Sequence, residues 1–165
     1  MTDYLGNREL LKKHKVGFLA SRKISTLAVL PTLDWASEIA KREDVVVVSG
    51  FHSPLERDVL NFLLRGSCGI IVVLARGMYK EVPELFSDAF ETHRVLFISN
   101  EPDTVLRVSQ TGASRRNEYI ASIVDSIVFP AMHPQSSLFI IYNNIRIHKP
   151  TKCIWSQSLV DSKNE

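Results

Sequence analysis

The sequence is poor in cysteine and has no long hydrophobic run. Its 165 residues contain two cysteines, and Cys68 and Cys153 form neither a CxxC pair nor a metal-ligand spacing. This pattern argues against a disulfide framework and a metal site, and it favours reduced thiols in a cytoplasmic protein. No apolar run approaches the roughly 18 residues of a membrane span, and the charged N-terminus lacks a signal-peptide core. We therefore expect a cytoplasmic protein with no membrane segment.

A strong charge of one sign is also missing. The chain has 20 Lys plus Arg and 18 Asp plus Glu, a net charge of +2, so any basic surface must be local. The fingerprints GxGxxG, GxxxxGK[ST], HExxH and GxSxG are absent as well. Their absence removes the usual dinucleotide, P-loop, zinc-protease and hydrolase interpretations. We predict no cofactor, and a binding protein is favoured over an enzyme.

What the sequence does contain is an alternation of short β-branched runs with helical segments. Most of the runs are continuously apolar, which is typical of parallel strands covered by helices on both faces. We predict a three-layer α/β/α Rossmann-like fold with a mainly parallel sheet of about six strands. The predicted strands are residues 16–20, 45–48, 70–74, 95–98, 126–129 and 152–155. One domain is expected over residues 1–165, with its core at 15–156 and a loose tail at 157–165.

The clearest helix signal begins at Ser53. Pro54 follows at the first helical position, and Glu56 stands where it can complete a capping box. The apolar face of this helix continues to an end near Gly66. Further helices are predicted over residues 4–13 and 136–147, and from near Pro31, Pro83 and Ser114.

The residues that follow the first four predicted strands are of types that can bind an anion. In a parallel sheet the carboxyl ends of the strands share one edge, where ligands bind. The residues there are small, hydroxyl-bearing or cationic, so a backbone can approach and hydrogen-bond an anion. The alternative is that Ser21 and Ser49 are strand-end caps, that His52 is a loop residue with a satisfied hydrogen bond, and that Lys23 and Arg76 are solvated charges. The predicted site contains Ser21, Arg22, Lys23, Ser49, Gly50, Phe51, His52, Arg76 and Gly77.

Two consecutive arginines, Arg115 and Arg116, are followed by Asn117 in what we predict to be the first turn of a helix. A helix N-terminus carries partial positive charge, so arginines there cost from a few tenths to about 1 kcal/mol each. A bound phosphate would turn this cost into binding energy through backbone N–H groups and forked guanidinium bonds. The alternative is that both arginines are solvated and paired with Glu118 or Asp125.

The order of these segments resembles the Rossmann-like core of the DNA-processing protein A (Smf) family, within the wider superfamily of SLOG or LOG-like domains. The family has GSR after its first strand, SG after its second, and an RNR-type motif at a helix start. The corresponding segments here are VGFLASRK at 16–23, VVVVSG at 45–50 and SRRNEYIASIVDSIV at 114–128. The likeness continues through Ser136-Ser137-Leu138 and HKPTKCIWS, and it covers about residues 15 to 156.

This resemblance implies a protein that binds single-stranded DNA and, in the family, loads a recombinase onto it. It also implies that Ser21, Arg22, Ser49, Gly50, Arg115, Arg116 and Asn117 form a pocket for a phosphate. Binding of this kind combines a basic groove with stacking aromatics, and we expect Phe51 and Tyr119 to be the aromatics nearest the rim. A homo-oligomer such as a dimer could join two rims into a longer track.

Two other functions stay open. A nucleotide or nucleotide-derivative sensor would use the same pocket, and a nucleotide N-glycosidase would use Glu56, Glu101 or Glu118 as its carboxylate. Phosphoribohydrolases of the wider superfamily carry a PGGxGT motif that this sequence lacks, which disfavours hydrolysis. Salt separates DNA binding from nucleotide binding, because contacts to several phosphates weaken steeply as salt rises and one enclosed phosphate responds weakly.

Overall fold

A computed structural model describes residues 1–156, and the predicted tail at 157–165 lies outside them. The sheet order is β1-β5-β4-β3-β2-β6-β7. Its strands are β1 (Asp3–Gly6), β2 (His14–Phe18), β3 (Val45–Ser49), β4 (Gly69–Leu74), β5 (Val95–Ser99), β6 (Ser126–Phe129) and β7 (Thr151–Cys153). β1 is antiparallel to β5, and every other neighbouring pair is parallel.

Helices cover both faces of this sheet. They are α1 (Val29–Ile39), α2 (Pro54–Leu64), α3 (Ser87–Glu91), α4 (Gln110–Ile123) and α5 (Phe139–His148). Successive strand residues point to opposite faces, so Val47 packs in the core with α1, α2 and α3, and Val48 packs in the core with α4 and α5. Both valines are fully buried, which explains the continuously apolar runs. The three-layer Rossmann-like prediction is confirmed, with seven strands where about six were expected.

The N-terminus contradicts the predicted helix over residues 4–13. Asp3–Gly6 is an edge strand, and only Arg8–Lys12 coil, as a 3-10 helix that buries Leu10. Gly6 lies between the two with a φ of +116°, and a Cβ there would collide with the Val95 carbonyl oxygen. The backbone turn at Gly6 ends the strand. A strand of four residues is too short to show a period of two in the sequence.

The helix of the arginine pair begins at Gln110, earlier than the start predicted near Ser114. Its N-cap is Ser109, whose hydroxyl accepts the N–H of Gly112 at 2.9 Å. A glycine in a polar stretch indicates a loop in the sequence, but here it lies in the first helical turn. Arg115 and Arg116 therefore lie in the second turn, and the first-turn cost predicted for their charges does not apply.

The connections after β2 and β6 open a crevice at the carboxyl edge of the sheet. These two strands are neighbours, yet the chain leaves β2 for α1 on one face and leaves β6 for α5 on the other. Ligands of open α/β sheets bind at such a reversal. Within residues 1–156, no helix has the length and apolarity that crossing a bilayer would take.

Candidate anion-binding site

A cleft of about 460 Å³ lies at this reversal, and we call it the rim cleft. Its walls come from the segments after β2, β3 and β6 and from the first half of α4. Five of the predicted residues line it: Ser21, Arg22, His52, Arg116 and Asn117. Four elements far apart in the sequence thus bring hydroxyl, imidazole and guanidinium groups to one concave surface.

The other predicted residues lie outside the rim cleft. Gly50, Phe51 and Arg76 line a second, smaller cavity on the β4 side, and the side chain of Lys23 is exposed. Ser49 is fully buried and its hydroxyl accepts the N–H of Phe51 at 3.1 Å, so it acts as a strand-end cap.

Two further predicted residues are occupied by contacts within the protein. The N–H of Gly77 donates to the Val105 carbonyl oxygen at 2.8 Å, which fixes the long segment before α4. Arg115 forms an ion pair with Glu101 at 2.9 Å, and neither Glu118 nor Asp125 is its partner. Its guanidinium is thereby held away from the rim cleft.

Arg116 is the central residue of the rim cleft. It is 8% exposed, and its Nε donates to the side-chain oxygen of Asn117 at 3.3 Å. No Asp or Glu of the described residues forms an ion pair with it. Burial lowers the pKa of Arg116, and the charge of Glu56 partly opposes this. A buried guanidinium without a carboxylate partner is costly unless an anion completes its hydrogen bonding.

Gly50 allows Arg116 to lie in this position. A Cβ on Gly50 would stand 2.5 Å from Nε and 2.6 Å from Cζ of Arg116. The guanidinium therefore packs directly on the backbone that follows β3. Any side chain at this position would displace it.

Glu56 braces the two loops that form one wall of the rim cleft. It is 3% exposed, and its carboxylate accepts the N–H groups of Ala20, His52 and Ser53, each at 3.0 Å. The last of these bonds belongs to the capping box predicted for α2. One carboxylate thus fixes the end of β2 against the start of α2.

His52 faces the same space from the loop before α2. Burial lowers the pKa of His52, and the positive charges of Arg116, Arg22 and Arg57 lower it further, against an opposing effect of Glu56. The imidazole is therefore neutral near pH 7. The positive charges of three arginines thus act on His52 in the same direction as burial.

Several residues of the rim cleft were not predicted from the sequence. Ser109, Gln110 and Ser114 contribute through the start of α4 and the turn after it, and Ser137 and Leu138 contribute from the segment before α5. Ser21 and Ser136 share a hydrogen bond of 2.7 Å between their hydroxyl groups, which joins the loops after β2 and β6. The capping sequence at Ser109 was the available signal for the first group.

The expected aromatics are not both at the rim. Phe51 lies beside it, in the core on the side of α1 and α2, but Tyr119 packs against the opposite core, where burial raises the pKa of its hydroxyl group and the nearby Tyr4 adds to this shift. Tyr119 packs against the same core as Tyr4 of β1. An aromatic that the sequence did not suggest, Tyr79, lies in the smaller cavity instead.

The three carboxylates considered for an N-glycosidase do not converge. Both oxygens of Glu56 accept backbone N–H groups, and Glu101 is paired with Arg115. Glu118 lines a separate groove between α4 and α5. Of the three, Glu56 alone lines the rim cleft, and its oxygens hold backbone N–H groups, so no pair of carboxylates is placed there for general acid and base catalysis.

The sequence of residues 3–143 matches the family model of the DNA recombination-mediator protein A. The chain belongs to this family. The match covers β1 and the segments of the sequence resemblance up to Leu138, and it confirms the family; HKPTKCIWS at 148–156 lies beyond the matched residues. No curated protein sequence matches the chain.

Solved structures with the same fold include two members of this family. The DNA processing protein A of Streptococcus pneumoniae is 19% identical, with a TM-score of 0.71, and the match covers 91% of this chain and 53% of that one. The protein of Helicobacter pylori, described for its single-stranded DNA binding mode, is 16% identical with a TM-score of 0.71, over 91% and 69% of the two chains. The chain thus spans about half of the pneumococcal protein.

A third structure shows how widely the fold is used. The Moco carrier protein of Chlamydomonas reinhardtii is 13% identical, with a TM-score of 0.55, over 88% of this chain and 79% of that one. Its name refers to a small molecule, whereas the two family members are named for DNA. Likeness at this level of identity establishes the fold, and the function has to be argued from the site.

Proposed function

We propose that the chain binds single-stranded DNA and holds a backbone phosphate in the rim cleft. The observation that carries this proposal is Arg116, a buried guanidinium without a carboxylate partner among the described residues, facing a cleft at the switch point of the sheet. A phosphate oxygen would complete its hydrogen bonding with forked geometry. Membership of the recombination-mediator family supports DNA as the source of that phosphate.

The surrounding groups suit a phosphodiester. Arg22 is exposed at the cleft and adds a second positive charge, and Ser21 and Ser137 bring hydroxyl groups. The first turn of α4 directs backbone N–H groups and a partial positive charge toward the same wall. We assign charge neutralisation to the two arginines and orientation to the hydroxyl and backbone donors.

Partners follow from the same proposal. The DNA-processing role of the family would place the chain in the cytoplasm, with a recombinase as the protein that acts on the bound strand. A homo-oligomer, such as a dimer, would align several rim clefts along one strand. On this proposal the chain acts as a binding protein that needs no cofactor.

Binding of a labelled single-stranded oligonucleotide, followed by fluorescence anisotropy at low and moderate salt, tests the proposal. We expect Arg116→Gln to weaken binding by about tenfold to a hundredfold, the value of one charge-assisted contact. The matched control is Arg42→Gln. Arg42 is exposed, pairs with Asp44 at 2.8 Å, and precedes β3 at the opposite edge of the sheet, so its replacement should leave binding unchanged.

Nucleoside monophosphates serve as competitors in the same assay. They distinguish the second candidate function, a nucleotide sensor, which the enclosed Arg116 would also suit. Weak competition together with a loss of DNA binding in Arg116→Gln supports the DNA function. Displacement of the oligonucleotide by micromolar mononucleotide would favour the sensor. Equal DNA binding by Arg116→Gln and the unchanged protein would refute the phosphate assignment.

A further inference from the structure

Glu101 occupies the guanidinium of Arg115 beside the rim cleft. Nε and Nη2 of Arg115 donate to the same carboxylate oxygen, Oε1, at 3.1 and 2.9 Å. The two partners differ in burial, because 10% of the Glu101 side chain is exposed against 58% of the Arg115 side chain. A buried carboxylate without its cation is costly, whereas an exposed guanidinium is readily solvated. The carboxylate therefore depends on the pair more than the guanidinium does.

The loop that carries Glu101 is anchored at the end of β5. The hydroxyl of Ser99 accepts the N–H of Glu101 at 3.2 Å and donates to the carbonyl oxygen of Arg76. The side-chain oxygen of Asn100 accepts a hydrogen bond from the hydroxyl of Thr2 at 2.6 Å. These bonds tie the loop to the segments after β4 and before β1. The sheet thus fixes the position of the carboxylate, and Arg115 is the partner that can move.

Arg115 is held next to the proposed phosphate site without lining it. Its neighbours Ser114 and Arg116 line the rim cleft, and Arg115 does not. Its Nη2 lies 3.8 Å from the position of a Cβ on Gly112, so the guanidinium lies beside the first turn of α4. Arg115, Arg116 and Glu101 line one small cavity of about 80 Å³. A second guanidinium is therefore close to the first, with its charge neutralised by a carboxylate.

We propose that Glu101 limits the affinity of the chain for single-stranded DNA by keeping Arg115 from a phosphate. The inference rests on the proposed DNA function and concerns the regulation of the same site. A phosphate next to the one on Arg116 has to compete with Glu101 for the guanidinium of Arg115. Loss of the carboxylate charge frees that guanidinium for a forked contact. A limited affinity suits a protein that has to release its strand to the recombinase proposed as its partner.

Glu101→Gln keeps the shape of the side chain and removes its charge. In fluorescence anisotropy with a labelled oligonucleotide, it should tighten binding by about threefold to tenfold, the effect of one added contact. The slope of log K against log salt should become steeper by about 0.7, the value of one more neutralised phosphate. Arg115→Gln should bind within about twofold of the unchanged protein, and the double variant should bind like Arg115→Gln.

Asp44→Asn is the matched control. Asp44 neutralises Arg42 through bonds of 2.8 and 3.2 Å, and 58% of the Arg42 side chain is exposed, the same share as for Arg115. This substitution also frees an arginine, but at the opposite edge of the sheet. It should leave DNA affinity within about twofold.

Urea unfolding of the same variants tests the ion pair itself. Arg115→Gln should lower the unfolding midpoint, because the buried carboxylate loses its cation, and the addition of Glu101→Gln should restore the midpoint. Unchanged affinity in Glu101→Gln, or a gain that persists in the double variant, would overturn the proposal. A tenfold loss of affinity in folded Arg115→Gln would also overturn it, since Arg115 would then already hold a phosphate. Failure of the unchanged protein and of every variant to bind DNA would overturn the proposed DNA function as well.

Discussion

His52 is the residue of the rim cleft whose charge is expected to respond to ligand near neutral pH. Burial and the charge of Arg116 hold its pKa below 6.5, so the free protein has a neutral imidazole at pH 7. A phosphodiester keeps its negative charge over this range and stabilises the protonated imidazole. Binding should therefore take up a proton, and affinity for single-stranded DNA should rise as pH falls from 8 to 6 by about threefold to tenfold.

Anisotropy titrations at several pH values, with the salt concentration fixed, measure this dependence. His52→Gln should remove most of the pH dependence and lie close to the unchanged protein at pH 8. His148→Gln, at the end of α5 and away from the rim cleft, should keep it. The role assigned to His52 is wrong if its replacement leaves the pH profile intact.

The arginine pair shows what a sequence can and cannot specify at the scale of one residue. Successive helical residues point about 100° apart, so one arginine faces inward and its neighbour faces outward. The structure turns Arg116 onto Gly50 and Arg115 toward Glu101. The direction in which each arginine side chain points depends on the residue at which α4 starts and on contacts with the distant segments that contain Gly50 and Glu101. The sequence predicted both arginines for the site and could not separate them.

Replacement of two glycines at the junctions between elements should have opposite effects on DNA affinity and on stability. The three atoms nearest to a Cβ at Gly50 would belong to the outer part of the Arg116 side chain, at 2.5 to 2.8 Å. Gly50→Ala should therefore cost little stability but displace the guanidinium, with a loss of DNA affinity of about tenfold. A Cβ at Gly66 would meet the backbone oxygen of Ala40, where the end of α2 packs against the end of α1. Gly66→Ala should cost about 1 to 3 kcal/mol of unfolding free energy.

Urea unfolding measures the stability of both variants, and fluorescence anisotropy measures their affinity for single-stranded DNA. Gly50→Ala should change binding and keep its unfolding midpoint, whereas Gly66→Ala should shift the midpoint and keep its affinity while folded. A large loss of stability in Gly50→Ala would mean that Arg116 cannot move aside. Each variant is the control for the other, since both exchange a hydrogen for a methyl group.

Elements with a strong local signal were predicted well. The buried strands β3, β4 and β5 are apolar runs, and α2 has a capping box of Ser53 and Glu56 with Pro54 at its first position, so the local sequence is sufficient to predict them. β1 was missed because a tertiary contact decides it, and the start of α4 was missed because the glycine in its first turn obscures the local cap at Ser109. β1 exists through its pairing with β5, and Ser109 caps a helix whose first turn contains a glycine.

The whole molecule has little net charge, so its binding should be local. A chain with a charge of +2 offers no long electrostatic track. The rim cleft gathers Arg22 and Arg116, and the smaller cavity on the β4 side adds Arg57 and Arg76, each without an ion pair in the described part of the chain. One protomer should therefore contact only one to three phosphates.

This local charge sets the expected salt dependence. For single strands the slope of log K against log salt is about −0.7 for each neutralised phosphate, which gives a slope between about −0.7 and −2 for a short oligonucleotide. Arg116→Gln should reduce its magnitude by about 0.7, and Arg42→Gln should leave it unchanged. A slope steeper than about −4 on a strand that only one protomer can hold would require phosphate contacts outside both cavities. A slope that steepens only with strands long enough for two protomers would instead indicate that copies of the chain bind DNA side by side.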